Sequence, residues 1–287
     1  MFCSLPIGTV AELWRYPVKS MLGERCASLH VTARGGLGDR AWALREVATG
    51  RIASAKRFPR LLDFEARYET QPTLSAHGRI AITLPGGRVI EPTDPDAATM
   101  ISEVLGHAVR LENQPRNDEK TGINRTTVFG DVPVSAMKPE WTTETMPDYF
   151  QLMTGTFFEI GAVYVLTSGS VDHLSNLQGK AARIDRRRFR PNIYIESDPA
   201  LSGFVEDSWI GGALEIGDVV TVGDFAPTLW CVTSTLAQQD LPRDPSVLRT
   251  TAEHHQGCLG VYASVTRPGV LQQTDPVQLV NRLLPTG

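Results

Sequence analysis

The chain reads as mostly β with a few helices, an α+β fold built from two β-barrel-like units over residues 1–115 and 116–287. Three observations predict this. Short β-rich segments bounded by turn residues recur along the whole chain. Helix signals are confined to three places, and many short strands with few helices argue for barrels. The length of 287 residues is long for one domain and comfortable for two.

The elements follow in order. Thr9 to Tyr16, Ala27 to Thr32, Arg40 to Val47, Leu62 to Tyr68 and Ile80 to Leu84 are strand candidates. Pro85-Gly86-Gly87 turns the last of them into Arg88-Val89-Ile90. The clearest helix has Asp94 as its cap and Pro95 in its first turn. Ala97, Met100, Ile101, Val104 and Leu105 form its apolar stripe, and Gly106 ends it. Asn113 to Asn124 is polar and reads as a linker or surface loop. Phe157 to Ile160 and Ala162 to Leu166 read as strands feeding a short helix that starts near Ser168 or Ser170. Asn192 to Glu196, Ala213 to Ile216, Val219 to Val222 and Val261 to Val265 are further strands. Asp244-Pro245 opens a helix that runs to about His254 and stops by Gly257.

Composition is that of a globular protein, with 41% hydrophobic and 21% charged residues. A net charge of −4 argues against nucleic acid or an anionic membrane as partner. The basic stretch Arg183 to Arg190 is therefore a local feature, suited to a small anion rather than a polymer. The 4 cysteines, Cys3, Cys26, Cys231 and Cys258, form no C-x-x-C pair, and a reduced, cytoplasmic protein is the expectation. The start at Met1 lacks a signal-peptide pattern, and no apolar run reaches membrane-spanning length. The six histidines show no zinc spacing, and neither a Walker A motif nor G-x-G-x-x-G is present. Nor does the chain carry the cysteine spacing of an iron–sulfur cluster.

Chemistry concentrates around Cys231, in Pro227-Thr228-Leu229-Trp230-Cys231-Val232-Thr233. A lone cysteine is either a small buried hydrophobe or a ligand. Here it follows a Pro-Thr turn and precedes Thr233, Ser234 and Thr235, whose hydroxyls can donate to a thiolate. Cationic and hydroxyl-bearing turns elsewhere, Lys19-Ser20, Arg40 and the arginine run, suggest a soft metal ligand beside an anion-binding shelf. In a strand, Arg186, Arg188 and Arg190 share one face, and Asn192 follows on it. Such a face needs an anion or carboxylates opposite. Thr167 and Ser168 precede a helix start, where they either cap it or help to bind phosphate.

Several motifs in this order resemble one family over nearly the whole chain. They are Tyr16-Pro17-Val18-Lys19-Ser20, Gly36-Leu37-Gly38-Asp39-Arg40, Leu166-Thr167-Ser168, Phe189-Arg190-Pro191-Asn192-Ile193, Cys231 and Gly260-Val261-Tyr262-Ala263. The family is that of proteins with a molybdenum cofactor sulfurase C-terminal (MOSC) domain preceded by a MOSC N-terminal β-barrel, close to the amidoxime-reducing branch. The resemblance assigns residues 1–115 to the first domain and 116–287 to the second. It implies a molybdenum cofactor, Mo-molybdopterin, with Cys231 as catalytic residue and metal ligand. Lys19, Ser20, Arg40, Thr167, Ser168, Arg188, Arg190 and Asn192 would bind the pterin and its phosphate. The implied reaction is two-electron reduction of small N-oxygenated substrates. Electrons would come from an external donor, a cytochrome b5-like or ferredoxin-like protein or a flavin reductase. A non-catalytic carrier of the cofactor or of its sulfur, working without pyridoxal phosphate, is the alternative. Two positions depart from the family pattern: Trp230 stands where many relatives have arginine, and Thr274-Asp275 where many have Gly-Asp.

Overall fold

The computed structural model describes residues 2–122, 149–181 and 183–282. In chain order, β1 (Phe2–Arg15), β2 (Glu24–Cys26), β3 (Ser28–Thr32), β4 (Gly35–Gly36), β5 (Ala43–Glu46), β6 (Glu65–Thr70), β7 (Arg79–Thr83) and β8 (Val89–Ile90) precede helix α1 (Ala97–Leu105). Next, β9 (Val109–Glu112), β10 (Lys120–Gly122), β11 (Tyr149–Gln151) and β12 (Val163–Thr167) lead to α2 (Ser168–Gln178). β13 (Ile193–Ser197), β14 (Ala213–Ile216) and β15 (Val220–Leu229) come before α3 (Ser246–His255). Finally come β16 (Cys258–Arg267), β17 (Gly269–Gln272) and β18 (Pro276–Arg282). The protein is mostly β, with three α-helices among the described residues, as the sequence leads one to expect.

Seven strands close into a barrel in the order β13-β12-β16-β15-β14-β18-β1, with β1 returning to β13. Only β12 and β13 of this ring run parallel, and α2 is part of the crossover between them. Alternating residues of these strands fill the interior, among them Ile7, Leu13, Val163, Val165, Ile193, Ile195 and Val261, around the fully buried Trp209. Burying each such aliphatic side chain contributes roughly 1.5–3 kcal/mol. The barrel draws β1 from the stretch assigned by sequence to the first unit, so residues 1–115 are not wholly separate from 116–287. β17 likewise crosses over, pairing with β3 through Leu271 and Leu29.

The second β-rich unit has its own core. Met21, Leu44, Leu61, Phe64, Ile82 and Ile101 pack between β6-β7-β8, the β5–β9 pair and α1. Gly106, at φ 70°, closes α1 as its C-cap. The start differs from expectation: Asp96, not Asp94, is the N-cap, and Asp94 instead accepts from Glu91 N through its side chain.

Other local expectations also fail for physical reasons. Residues 157–160 form no strand, because Lys19 captures the Phe157 carbonyl and Met153 N the Phe158 carbonyl. The stretch from Asn113 is irregular only as far as residue 119 before β10 begins, and Asn124 lies outside the described residues. The arginine run is a 3-10 helix, Arg186–Phe189, capped by the Asp185 carboxylate on Arg187 N. At three residues per turn, alternate arginines diverge instead of sharing a face. Pro227 to Leu229 belong to β15 rather than to a turn before Cys231.

Candidate active site

A cavity of about 340 Å³ lies where the two units meet. The N-terminal unit contributes Lys19, Ser20, Arg40 and Lys56 to its wall. The barrel side contributes Phe158, Glu159, Tyr164, Arg190, Asn192, Trp230, Cys231 and Tyr262. Thus Lys19, Ser20, Arg40, Arg190, Asn192 and Cys231 come together, from four separate stretches of chain.

Cys231 sits just past the end of β15, as the extended residue before a 3-10 turn, Val232–Thr235. Its half-buried Sγ lies 3.4 Å from Thr233 Oγ1. Ser234 and Thr235, expected to serve the thiolate as well, donate instead to the carbonyls of Cys231 and Val232. Burial pushes the thiols of Cys26 and Cys258 up to about 11, so those cysteines stay protonated and unreactive. The side chain of Cys3 lies outside the description.

The cations are held by backbone turns that the sequence makes deliberately tight. Gly38, at φ 81°, brings its Cα so close to Tyr68 that an added Cβ would lie 2.6 Å from the hydroxyl oxygen. That turn delivers Asp39 and Arg40, whose backbone N–H groups donate to Gly36 O and Tyr16 O. Arg40 then pairs with the buried Asp39 carboxylate and lies 4.8 Å over the Tyr16 ring. Asn192 is fully engaged: its amide donates to Trp14 O and Asp39 Oδ2, while its oxygen accepts from Tyr164 N. It acts as a strut beneath Arg40.

Glu159 bridges two ammonium groups. Lys19 Nζ lies 3.3 Å from Glu159 Oε1 and donates to Phe157 O at 3.0 Å, while Lys56 pairs with Glu159 Oε2. Burial pulls Lys19 down to about 8 despite Glu159. Burial also opposes the charge on Lys56, but Glu159 outweighs it and holds Lys56 above the lysine range. For Glu159 itself, desolvation is overcome by the two lysines, which keep the carboxylate ionised. Lys56 and Glu159 were not apparent from sequence; neither stands in a distinctive motif.

Arg190 differs from the other cations. It follows the 3-10 helix in the left-handed region, at φ 52°, and the residue is 8% exposed. Its guanidinium carbon lies 4.2 Å over the Tyr16 ring, and its buried Nη1 has no hydrogen-bond partner. Burial lowers its pKa to about 10, which leaves it charged at neutral pH. With four cations against one carboxylate, the wall is built for an anion.

Three expected residues are placed elsewhere. Thr167 caps α2 by accepting from Ser170 N, and its own N–H donates to the buried Glu206 carboxylate. Ser168 Oγ accepts from Ser197 N, and Ser197 Oγ accepts from Gly169 N. The helix start is thus saturated by side chains of the protein. Arg188 is buried and donates to the carbonyls of Leu236 and Pro242. Arg186 pairs with Glu12, and Arg187 with Asp185 and Asp240. None of these lines the cavity.

A closed barrel meets a second β-rich unit at a cavity lined by one thiol and four cationic side chains. The chain belongs to the MOSC family: the MOSC N-terminal beta barrel domain matches residues 7–120 and the MOSC domain matches residues 154–278. It is 24% identical to mitochondrial amidoxime reducing component 2 of Bos taurus over 294 residues, covering 94% of this chain and 83% of that protein. It is 25% identical to mitochondrial amidoxime-reducing component 1 of Homo sapiens over 300 residues, covering 96% and 84%. Among solved structures, the YUAD protein from Bacillus subtilis aligns over 99% of this chain and 100% of its own, at TM-score 0.47 and 12% identity.

Proposed function

We propose that this chain is an oxidoreductase that holds the molybdenum cofactor in the Cys231 cavity and reduces small N-oxygenated compounds with electrons from an external redox protein. The observation that carries this reading is the pairing, in one cavity, of the Cys231 thiol with the buried and unpartnered Arg190 guanidinium. The donor set fits the group. Cys231 offers a thiolate to a soft metal, and Arg190, Lys19, Lys56 and Ser20 offer donors to a phosphate and a polar heterocycle edge. The family membership and the amidoxime-reducing relatives point the same way.

When bound, the cofactor would supply two-electron exchange and accept the oxygen atom of the substrate. The protein's own residues do the rest. The Cys231 Sγ donates to the Thr233 hydroxyl oxygen at 3.4 Å, which orients the sulfur at the cavity wall. Trp230 stands where an arginine would be a further cation; its Nε1 donates to Leu259 O, and its ring packs edge-on against Tyr164 and Phe189. That aromatic wall excludes water and favours apolar substrates beside the metal. Lys19, with its pKa near neutrality, can give up a proton to a leaving oxygen within the cavity.

The donor of electrons would be a cytochrome b5-like or ferredoxin-like protein or a flavin reductase, docking transiently. The test is reduction of an N-hydroxylated amidine by the purified chain with a reduced dye. Turnover that disappears in Cys231→Ala supports the reading. Turnover with NADH alone, without a partner protein, would place an electron-entry site within the chain and refute the external donor.

A further inference from the structure

A second cavity, of about 420 Å³, has Trp14 and Tyr16 in its wall. Its lining shares one residue, Arg190, with the Cys231 cavity. It also contains Gln238, which is 2% exposed and whose amide nitrogen and oxygen both lack a hydrogen-bond partner. Leaving a buried amide unpaired is costly, and here two adjacent polar atoms and the Arg190 Nη1 are left so. The Gln238 side chain has a fixed base, because its backbone exchanges two hydrogen bonds with Leu241, at 2.9 and 2.7 Å. Around these groups stand the aromatic rings of Trp14 and Tyr16, the Arg187 guanidinium, and an exposed Arg67. Two carboxylates share the wall, Glu24, which pairs with Arg15, and Glu65, and Arg187 is itself paired with Asp185 and Asp240.

The two orphaned Gln238 atoms specify a partner, and Arg190, shared with the Cys231 cavity, adds a cation: Gln238 Nε2 requires an acceptor and Gln238 Oε1 a donor. A monoprotonated phosphate provides both kinds of atom on one group. The volume exceeds that of phosphate and falls in the range of small-molecule sites. The two rings offer a face to an organic remainder.

We propose that this second cavity is a binding site for a small organic phosphate, held by Arg190 and Gln238, and separate from the ligand of the Cys231 cavity. Because Arg190 faces both cavities, occupation of one is felt in the other through the same guanidinium.

The experiment is calorimetric titration of the full chain with phenyl phosphate, in protein made with and without the molybdenum cofactor pathway of the host. Saturable binding is expected in both preparations. Gln238→Leu and the surface variant Arg67→Glu should each weaken it about tenfold, with pterin content unchanged. Binding confined to cofactor-free protein would show that the cavity serves the cofactor's own phosphate tail and overturn the proposal. Absence of saturable binding, or affinity unaltered in both variants, would overturn it equally. If neither preparation contains pterin but both bind phenyl phosphate, the proposed function fails while this inference stands.

Discussion

Arg190 lies 4.2 Å over the ring of Tyr16, and its Nη1 is buried without a partner. The stack holds the guanidinium in place but leaves part of its hydrogen-bonding capacity unused. Arg40 approaches the same ring at 4.8 Å but spends its charge on Asp39. Of the two arginines on Tyr16, Arg190 is therefore the one prepared for a ligand.

Arg190→Ala should purify with less pterin than wild type. A charge-assisted hydrogen bond contributes about 1.5–3 kcal/mol, which corresponds to roughly tenfold to hundredfold in affinity. Pterin retained per chain after extensive dilution measures it. Equal retention would assign Arg190 to the packing of Tyr16 alone.

Lys19 should impose an alkaline limit on cofactor retention. Its protonated form attracts the anion, and burial sets its pKa near 8. Affinity is therefore complete below that pH and weakens as pH rises through it. Lys19→Arg, charged throughout, should flatten this limb. An unchanged slope in the variant would mean that another group titrates.

Glu159→Gln should destabilise the cofactor-free chain by about 3 kcal/mol, because the Lys19 and Lys56 ammonium groups lose their shared counter-charge. Cofactor-loaded protein should suffer less, since an anion replaces the carboxylate. Thermal melts of both forms check this, and equal losses would count against an anion seated beside the two lysines.

Much of the fold was legible because strand alternation and turn residues are local signals. Lys19, Arg40, Arg190 and Cys231 were legible because each stands in a recognisable motif. The ion pair between Lys56 and Glu159 was not, since its members lie 103 residues apart and in different units. The arginine run misled because the alternation rule presumes a strand, whereas the chain there coils into a 3-10 turn. Barrel closure by β1 and β18 was equally hidden, because it joins opposite ends of the sequence.

Thr274, one of the two departures from the family pattern, sits at φ 73°, a conformation suited to glycine. A β-branched residue there costs roughly 1–2 kcal/mol. Thr274→Gly should therefore raise the melting temperature by a few degrees, without changing the cavity. A lower melting temperature would show that the threonine side chain makes a compensating contribution.

The central claim is that the Cys231 cavity holds a molybdenum pterin. It is tested most directly by assaying molybdenum and pterin in the full chain purified from a cofactor-competent host, beside Cys231→Ala. Wild type should contain both in equal amounts. The variant should keep its fold, lose the spectroscopic signature of a protein thiolate on molybdenum, and retain less metal. Wild-type protein containing neither molybdenum nor pterin would contradict the account.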